Sequence, residues 1–312
     1  YGYKDEFTGA GWRANRTNLE KTIPLRHWHL NDPGVMPNLL QTGAGSPTGI
    51  CVYEGDLLPK IFHGQIIHCD AGPSIVRAYP VKSSGAGYTA TTVNILDGAK
   101  RDKWFRPSDV KVAPDGSLIV ADWYDPGVGG HRMGDLDRGR LFRITPKGHK
   151  GYKVPKLKFD TVGGLITALQ NPNNSVRQIA FTELKKRGRA VELSLVKLMA
   201  SDNPRMRARA LWLISQIKGN APNTVILAAN NRNENIQGMA LSIARQHKLN
   251  VIPLIREFAV NKSPVVRREC LVALRHSKSP EAPALWAKLA NQHDGKDRWY
   301  LEALGLAADK QE

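Results

Sequence analysis

HCDAGPSIVRAYPV, residues 68–81, and IVADWYDPGVGGHRMGDLDRGRLFRI, residues 119–144, repeat one design. In each, an alternating apolar run ends on an aspartate, turns through glycine and proline, and resumes as a second run containing an arginine. Period-two alternation bounded by Gly/Asp turns predicts antiparallel β-strands. The turn is short in the first copy and long in the second.

The neighbouring segments extend the pattern. SPTGICVYEG, FHGQIIHCD, VRAYPV and YTATTVNIL read as four strands. PSDVKVAPDGSLIVAD then reads as two strands joined at a Pro-Asp-Gly turn, and GRLFRITP as a third. Four short antiparallel strands per unit is the period of a propeller blade. One blade and most of another are expected, with residues 1–46 forming a long Gly/Pro/Asn-rich loop and the end of an earlier blade.

Near residue 160 the period changes. LSLVKLMA and MRARALWLISQI space apolar residues three and four apart, as amphipathic helices do. A repeat of about 30 residues accompanies the change. Asn171, Ser201, Asn231 and Asn261 open equivalent turns, and VRQIA, MRARA, IQGMA and VRREC open equivalent second helices. Trp212, Trp286 and Trp299 are expected to fill spaces between helical hairpins. A further unit begins at Ala282. The expected architecture is multidomain: a partial antiparallel β-propeller over residues 1–160, followed by an all-α HEAT-like solenoid over residues 161–312. The chain reads as an internal fragment of a longer protein, truncated within its repeats.

Composition narrows the function classes. Of 312 residues, 41% are hydrophobic and 23% charged, which fits folded domains and not disorder. No apolar run approaches a bilayer span. The net charge of +17, most of it on residues 161–312, permits contact with anionic partners. Nucleic-acid motifs are missing and the arginines recur at a structural period, so solvated helix faces are the expected account of the charge, with docking of an acidic protein partner as the functional alternative and nucleic acid not expected. Cys51, Cys69 and Cys270 form no CxxC pair, which argues against a cysteine-rich metal site. Cys51 and Cys69 read either as one disulfide or as two buried thiols.

Strand direction within blades places Thr48, His68, Asp70, Arg106, Asp122 and His131 at one mouth of the ring. Arg106, after Trp104 and Phe105, suits an anionic group such as a carboxylate, or else pins its own loop. Asp122 and His131 are the candidates for acid–base work. Thr48, His68, Asp70 and Arg106 are the candidates for holding a cofactor or substrate. Asp122, Asp125, Asp135 and Asp137 cluster with five glycines in the long turn. Such carboxylates suit a hard cation like calcium, or cap their own backbone. No Ser-His-Asp grouping, phosphate loop or HExxH is present.

TGAGSPTGICVYEGDLLPKIFHGQIIHCDAG, WFRPSDVKVAPDGSLIVADWYDPGVGGH and DRGRLFRI resemble a bacterial family of membrane-bound dehydrogenases common in planctomycetes, themselves similar to glucose and sorbosone dehydrogenases. The resemblance implies a six-bladed propeller, HEAT repeats and often a cytochrome c module. It implies pyrroloquinoline quinone (PQQ) with calcium, oxidation of a sugar or alcohol, and a periplasmic or otherwise exported location. Arg106 would match an arginine that holds the quinone carboxylates. Where the family has a lysine, this chain has Asp70-Ala71-Gly72, and it has no CxxCH haem motif. The competing readings are a non-catalytic propeller on a HEAT scaffold that binds a glycan or protein, and a calcium-centred hydrolase or lactonase.

Overall fold

The structure, a computed structural model, describes residues 36–40, 42, 46–99, 101–126, 137–152 and 155–310. The chain divides into two units. One comprises Leu40–Lys82 and Thr89–Thr224; the other gathers Ser83–Tyr88 with Val225–Glu312.

The first unit is built on open antiparallel sheets. Strands β1 (Pro47–Val52), β2 (Ile66–Asp70), β3 (Ile75–Tyr79) and β6 (Val93–Asp97) lie side by side in the order β1-β2-β3-β6. Between β3 and β6 the chain makes a hairpin of β4 (Val81–Ser84) and β5 (Gly87–Ala90). A second sheet holds β7 (Pro107–Val112), β8 (Leu118–Asp122) and β9 (Arg140–Ile144) in sequence order. Alternation puts Ile67, Cys69, Val76, Ala78, Val110, Val112, Leu118 and Val120 into one core. Inner strands β1 and β7 approach closely because position 49 is glycine: a Cβ there would collide with the backbone of Asp109 and Val110. Tyr53 closes one end of the core. Fully buried, its hydroxyl donates to Gly116 O at 2.7 Å and accepts from Leu58 N at 2.8 Å.

Four helices complete this unit: α1 (Val162–Leu169), α2 (Asn174–Arg187), α3 (Glu192–Leu198) and α4 (Pro204–Ser215). They enclose Leu165, Leu169, Leu184, Leu195, Met206 and Leu213. Polar ties at the starts of α2 and α4 join them to the sheets. Asn173 Nδ2 donates to Val112 O at 2.7 Å, and Asn171 Nδ2 to Pro114 O at 3.2 Å. Arg205 donates to Gly64 O at 2.9 Å. Glu54, in the loop after β1, takes Arg177 from α2 and Arg209 from α4. All three side chains are less than one fifth exposed, and burial together with the neighbouring arginines holds Arg177 below the ordinary arginine value despite Glu54.

After α5 (Ala221–Ala229), in which the division between the units falls, the second unit holds α6 (Glu234–Gln246), α7 (Ile252–Phe258), α8 (Pro264–Leu274), α9 (Ala282–Ala290) and α10 (Arg298–Ala308). The segment Ser83–Tyr88 belongs to it. Asp297 accepts from Ala86 N at 2.6 Å, Arg268 donates to Ala86 O, and the Trp299 ring covers Gly87 where a side chain would stand. Trp299 is thus spent on a strand hairpin and not between helical hairpins, while Trp286 Nε1 donates to Leu304 O at 3.0 Å.

The 30-residue repeat has a local physical basis. Asn173, Asn203, Asn233 and Ser263 are the N-caps of α2, α4, α6 and α8, each accepting from an amide in the first helical turn. Two residues earlier, Asn171, Ser201, Asn231 and Asn261 accept from the cap's own amide. Arg177, Arg207 and Arg267 reach back to two turn carbonyls each; Gln237 occupies the equivalent place in the third repeat.

The expected partial propeller followed by a HEAT-like solenoid is corrected here. Among the described residues the strands form small open antiparallel sheets of four, two and three strands, and these close no ring. The helices are divided between the units, α1–α4 with the sheets and α6–α10 in the other, so the expected single HEAT-like solenoid over residues 161–312 is not seen. YTATTVNIL is two strands, since the chain breaks at Thr91, whose amide donates to Pro80 O. Among the described residues, no helix is long and apolar enough to cross a membrane.

Glu54→Gln leaves two buried guanidinium groups without their counter-charge. The expected loss is about 3 kcal/mol, read as a lower urea midpoint. A change under about 0.5 kcal/mol would show that the ion triad does not hold the helices to the sheets.

Candidate functional site

Register builds the region that the two aspartate turns share. Pro47 lies opposite Asp70, which lies opposite Ile75. In the second sheet Pro107 lies opposite Asp122, which lies opposite Arg140. Each aspartate is buried at a strand end, and each is followed by a non-glycine residue in the left-handed region, Ser74 (φ 60°) and Tyr124 (φ 56°). Such torsions cost about 1 kcal/mol or more and persist only where surrounding bonds impose them.

Those bonds are present. The Asp122 side chain is wholly buried and accepts from Arg106 N at 2.7 Å, Tyr124 N at 2.9 Å, and Arg140 Nε and Nη2 at 2.7 and 2.6 Å. Arg140 also reaches Asp102 at 2.8 Å, with its guanidinium 4.0 Å from the Tyr124 ring centre. Asp70 accepts from Ser46 N at 2.8 Å and Arg77 Nη2 at 3.3 Å. Arg106 crosses from one sheet to the other. Its Nη1 donates to Ser74 Oγ at 2.6 Å, with Ala71 O and Phe105 O at 3.3 and 3.4 Å, and its Nη2 donates to Pro126 O at 3.3 Å. Thr48 Oγ1 lies 2.7 Å from Pro107 O and 3.1 Å from Cys69 O.

The structure therefore draws Thr48, Asp70, Arg106 and Asp122 into one network. His68 sits on the neighbouring strand with Nδ1 3.0 Å from Tyr79 Oη, and burial, with Arg77 adding to it against Asp70, keeps its pKa below the ordinary histidine value. Asp125 is buried, with its amide donating to Trp104 O at 3.0 Å. Asp137 is exposed. His131 and Asp135 lie outside the described residues.

This network does not fit the expected cofactors. A quinone carboxylate needs paired guanidinium N–H donors, and both terminal nitrogens of Arg106 are taken by protein oxygens, with only Nε unpartnered. Among the described residues no group of three or more His, Cys, Asp or Glu side chains is placed to hold a metal ion. Asp122 in particular turns its oxygens onto donors of its own chain. The PQQ and calcium expectation is corrected accordingly, and the dehydrogenase mechanism with it.

Beside the network lies a groove of about 540 Å³. Ile95, Leu96, Phe105 and Phe142 form its floor, and Asp97, Arg101, Asp102 and Arg140 its rim. The Phe105 and Phe142 rings meet edge-on at 5.8 Å. Its walls come from β6 and β9, the free edges of the two sheets. Sequence reading did not find this groove. The apolar pattern announces each strand but not which strands end a sheet; the one usable signal was the charged run DGAKRDK set between two strands.

The three cysteines are free, which settles the alternative between a disulfide and thiols. Burial, first among the causes, pushes Cys51 and Cys69 up to about 12, and Cys270 rises further. None is poised as a nucleophile.

Comparison with known proteins returns a family described as a domain of unknown function, DUF7133, matching residues 10–148. A curated relative, Long-chain-fatty-acid--AMP ligase FadD26 of Mycobacterium marinum (strain ATCC BAA-535 / M), is 24% identical over 171 residues, 54% of this chain and 27% of that protein. The chain thus spans about a quarter of the length of the curated relative it matches. Neither match is to a glucose or sorbosone dehydrogenase. The resemblance drawn from the strand motifs is corrected by them, and by the open sheets that carry those motifs.

In native protein at pH 8, a thiol-reactive disulfide reagent should modify the cysteines at least about a hundredfold more slowly than in urea, where all three react. Rapid native modification of Cys51 would contradict the burial assigned to it.

Proposed function

We propose that this chain is a partner-binding module whose first unit receives an extended segment of another protein along the groove between β6 and β9. The observation that carries this reading is the groove's construction: an apolar floor flanked by two sheet edges whose outward backbone groups have no strand partner among the described residues. Free edges are templates for strand addition, in which main-chain hydrogen bonds supply affinity and alternate side chains enter pockets. Phe105 and Phe142 offer the aromatic surface on which interface energy concentrates. Arg140, held by Asp102 and Asp122, gives the rim a fixed shape before any partner arrives, which lowers the ordering cost of binding.

Selection from a displayed library of random octapeptides tests the reading. Binders are expected, and methylating alternate backbone amides of a selected peptide should weaken it at least about tenfold, because strand addition needs those N–H groups. An empty selection, or binders indifferent to methylation, would overturn it.

A further inference from the structure

The two strands that flank the groove are not equivalent templates, and the difference matters on the reading that an extended segment enters there. β6 is interrupted. Leu96 and Asn94 lie opposite Val76 and Arg77 of β3, which leaves Ile95 as an unpaired bulge residue. Bulges blunt an edge against strand addition. The exposed side chains of β6, Asn94 and Asp97, are polar. β9 is regular: Arg140–Ile144 pair with Asp122–Leu118 without a break. Among the described residues, only β8 bonds to the backbone of Leu141, Phe142 and Arg143. Both faces of β9 carry an apolar side chain. Phe142 lies in the groove floor, and Leu141, on the other face opposite Ala121, is 77% exposed. Charged side chains commonly guard such an edge. Here both arginines of β9 are already held, Arg140 by Asp102 and Asp122, and Arg143 by Asp115 at 2.6 Å. The charges lining the groove cancel, Asp97 and Asp102 against Arg101 and Arg140, so neither sign is favoured in an occupant. The apolar floor opposes burial of either.

We infer that β9 is the receiving strand and that its natural occupant is an uncharged segment of a partner protein, apolar at both alternating sets of positions. One set enters the groove beside Phe142, and the other covers Leu141. A single added strand reaches both surfaces, since successive side chains point to opposite faces. Apolar neighbours across adjacent strands stabilise the pairing. Leu141 is thereby a specificity-determining residue. A segment that is polar on its outer face leaves Leu141 in water and gains less.

The tightest peptide from the octapeptide selection is the probe, with hydrogen exchange at single amides of the full chain as the readout. The peptide is expected to slow the outward-pointing amides among Leu141–Arg143 at least about tenfold and to leave Val93–Asp97 unchanged. Selected sequences are expected to lack charged residues and to be apolar at odd and even positions alike. Leu141→Thr should keep the native urea midpoint, because the side chain is 77% exposed, and should bind the peptide about threefold more weakly. Ile61→Thr, at a 52% exposed site in the segment between β1 and β2, should bind it as the native chain does. Protection of β6 in place of β9, selected peptides charged at alternate positions, or full affinity in Leu141→Thr would overturn the inference and leave strand reception standing. Protection of neither edge, or no selected binder, would overturn the reading beneath it. Protection of β9 without peptide, rising with protein concentration as a dimer forms in sedimentation equilibrium, would give the edge to a second copy of this chain and overturn the assignment to a partner.

Discussion

A carboxylate buried without donors costs several kcal/mol, so Asp122 constrains whatever surrounds it. Its two oxygens take two backbone amides and two guanidinium nitrogens. Those bonds fix where β7 begins, impose the left-handed turn at Tyr124, and anchor Arg140. Through Arg140 they set one wall of the groove. Through Arg106, whose backbone they hold, they set the bridge to the turn after Asp70. The arrangement links a strand end, a strained turn, two sheets and the groove by one charged group.

The same logic recurs where the helices meet the sheets. Glu54 is to Arg177 and Arg209 what Asp122 is to Arg140. In both places an acid on the sheet side gathers arginines that the fold would otherwise have to leave in water. Several arginines are likewise committed internally: Arg106 to carbonyls, Arg177, Arg207 and Arg267 to the repeated turns.

The strands Ile66–Asp70, Leu118–Asp122 and Arg140–Ile144 were legible from alternation, and the helix starts from the recurring Asn and Ser turns. Those are local signals, written in residues that touch each other along the chain. Strand order is not local, and short strands alone do not say whether a sheet closes into a ring or ends at free edges. The break at Thr91 was hidden because β-branched residues suit a strand whether or not it continues. Arg106 shows the limit at the site itself. A guanidinium among aromatics and glycines serves a ligand carboxylate or the protein's own carbonyls with the same donors, and the choice depends on Ser74 and Pro126, which approach only in three dimensions. Resemblance in the strand motifs carried the same ambiguity, since such motifs describe strands and turns and not the chemistry between them.

Hydrogen exchange resolved at single amides addresses the central role of Asp122 most directly. If the carboxylate holds this end of both sheets, the amides of Arg106 and Tyr124 should exchange only through global unfolding, as slowly as those at the centre of β8, although both lie at or beyond strand ends. Exchange of either amide at the rate of an open loop, with β8 still protected, would show that Asp122 does not organise the turn and that the groove's rim is not fixed in advance.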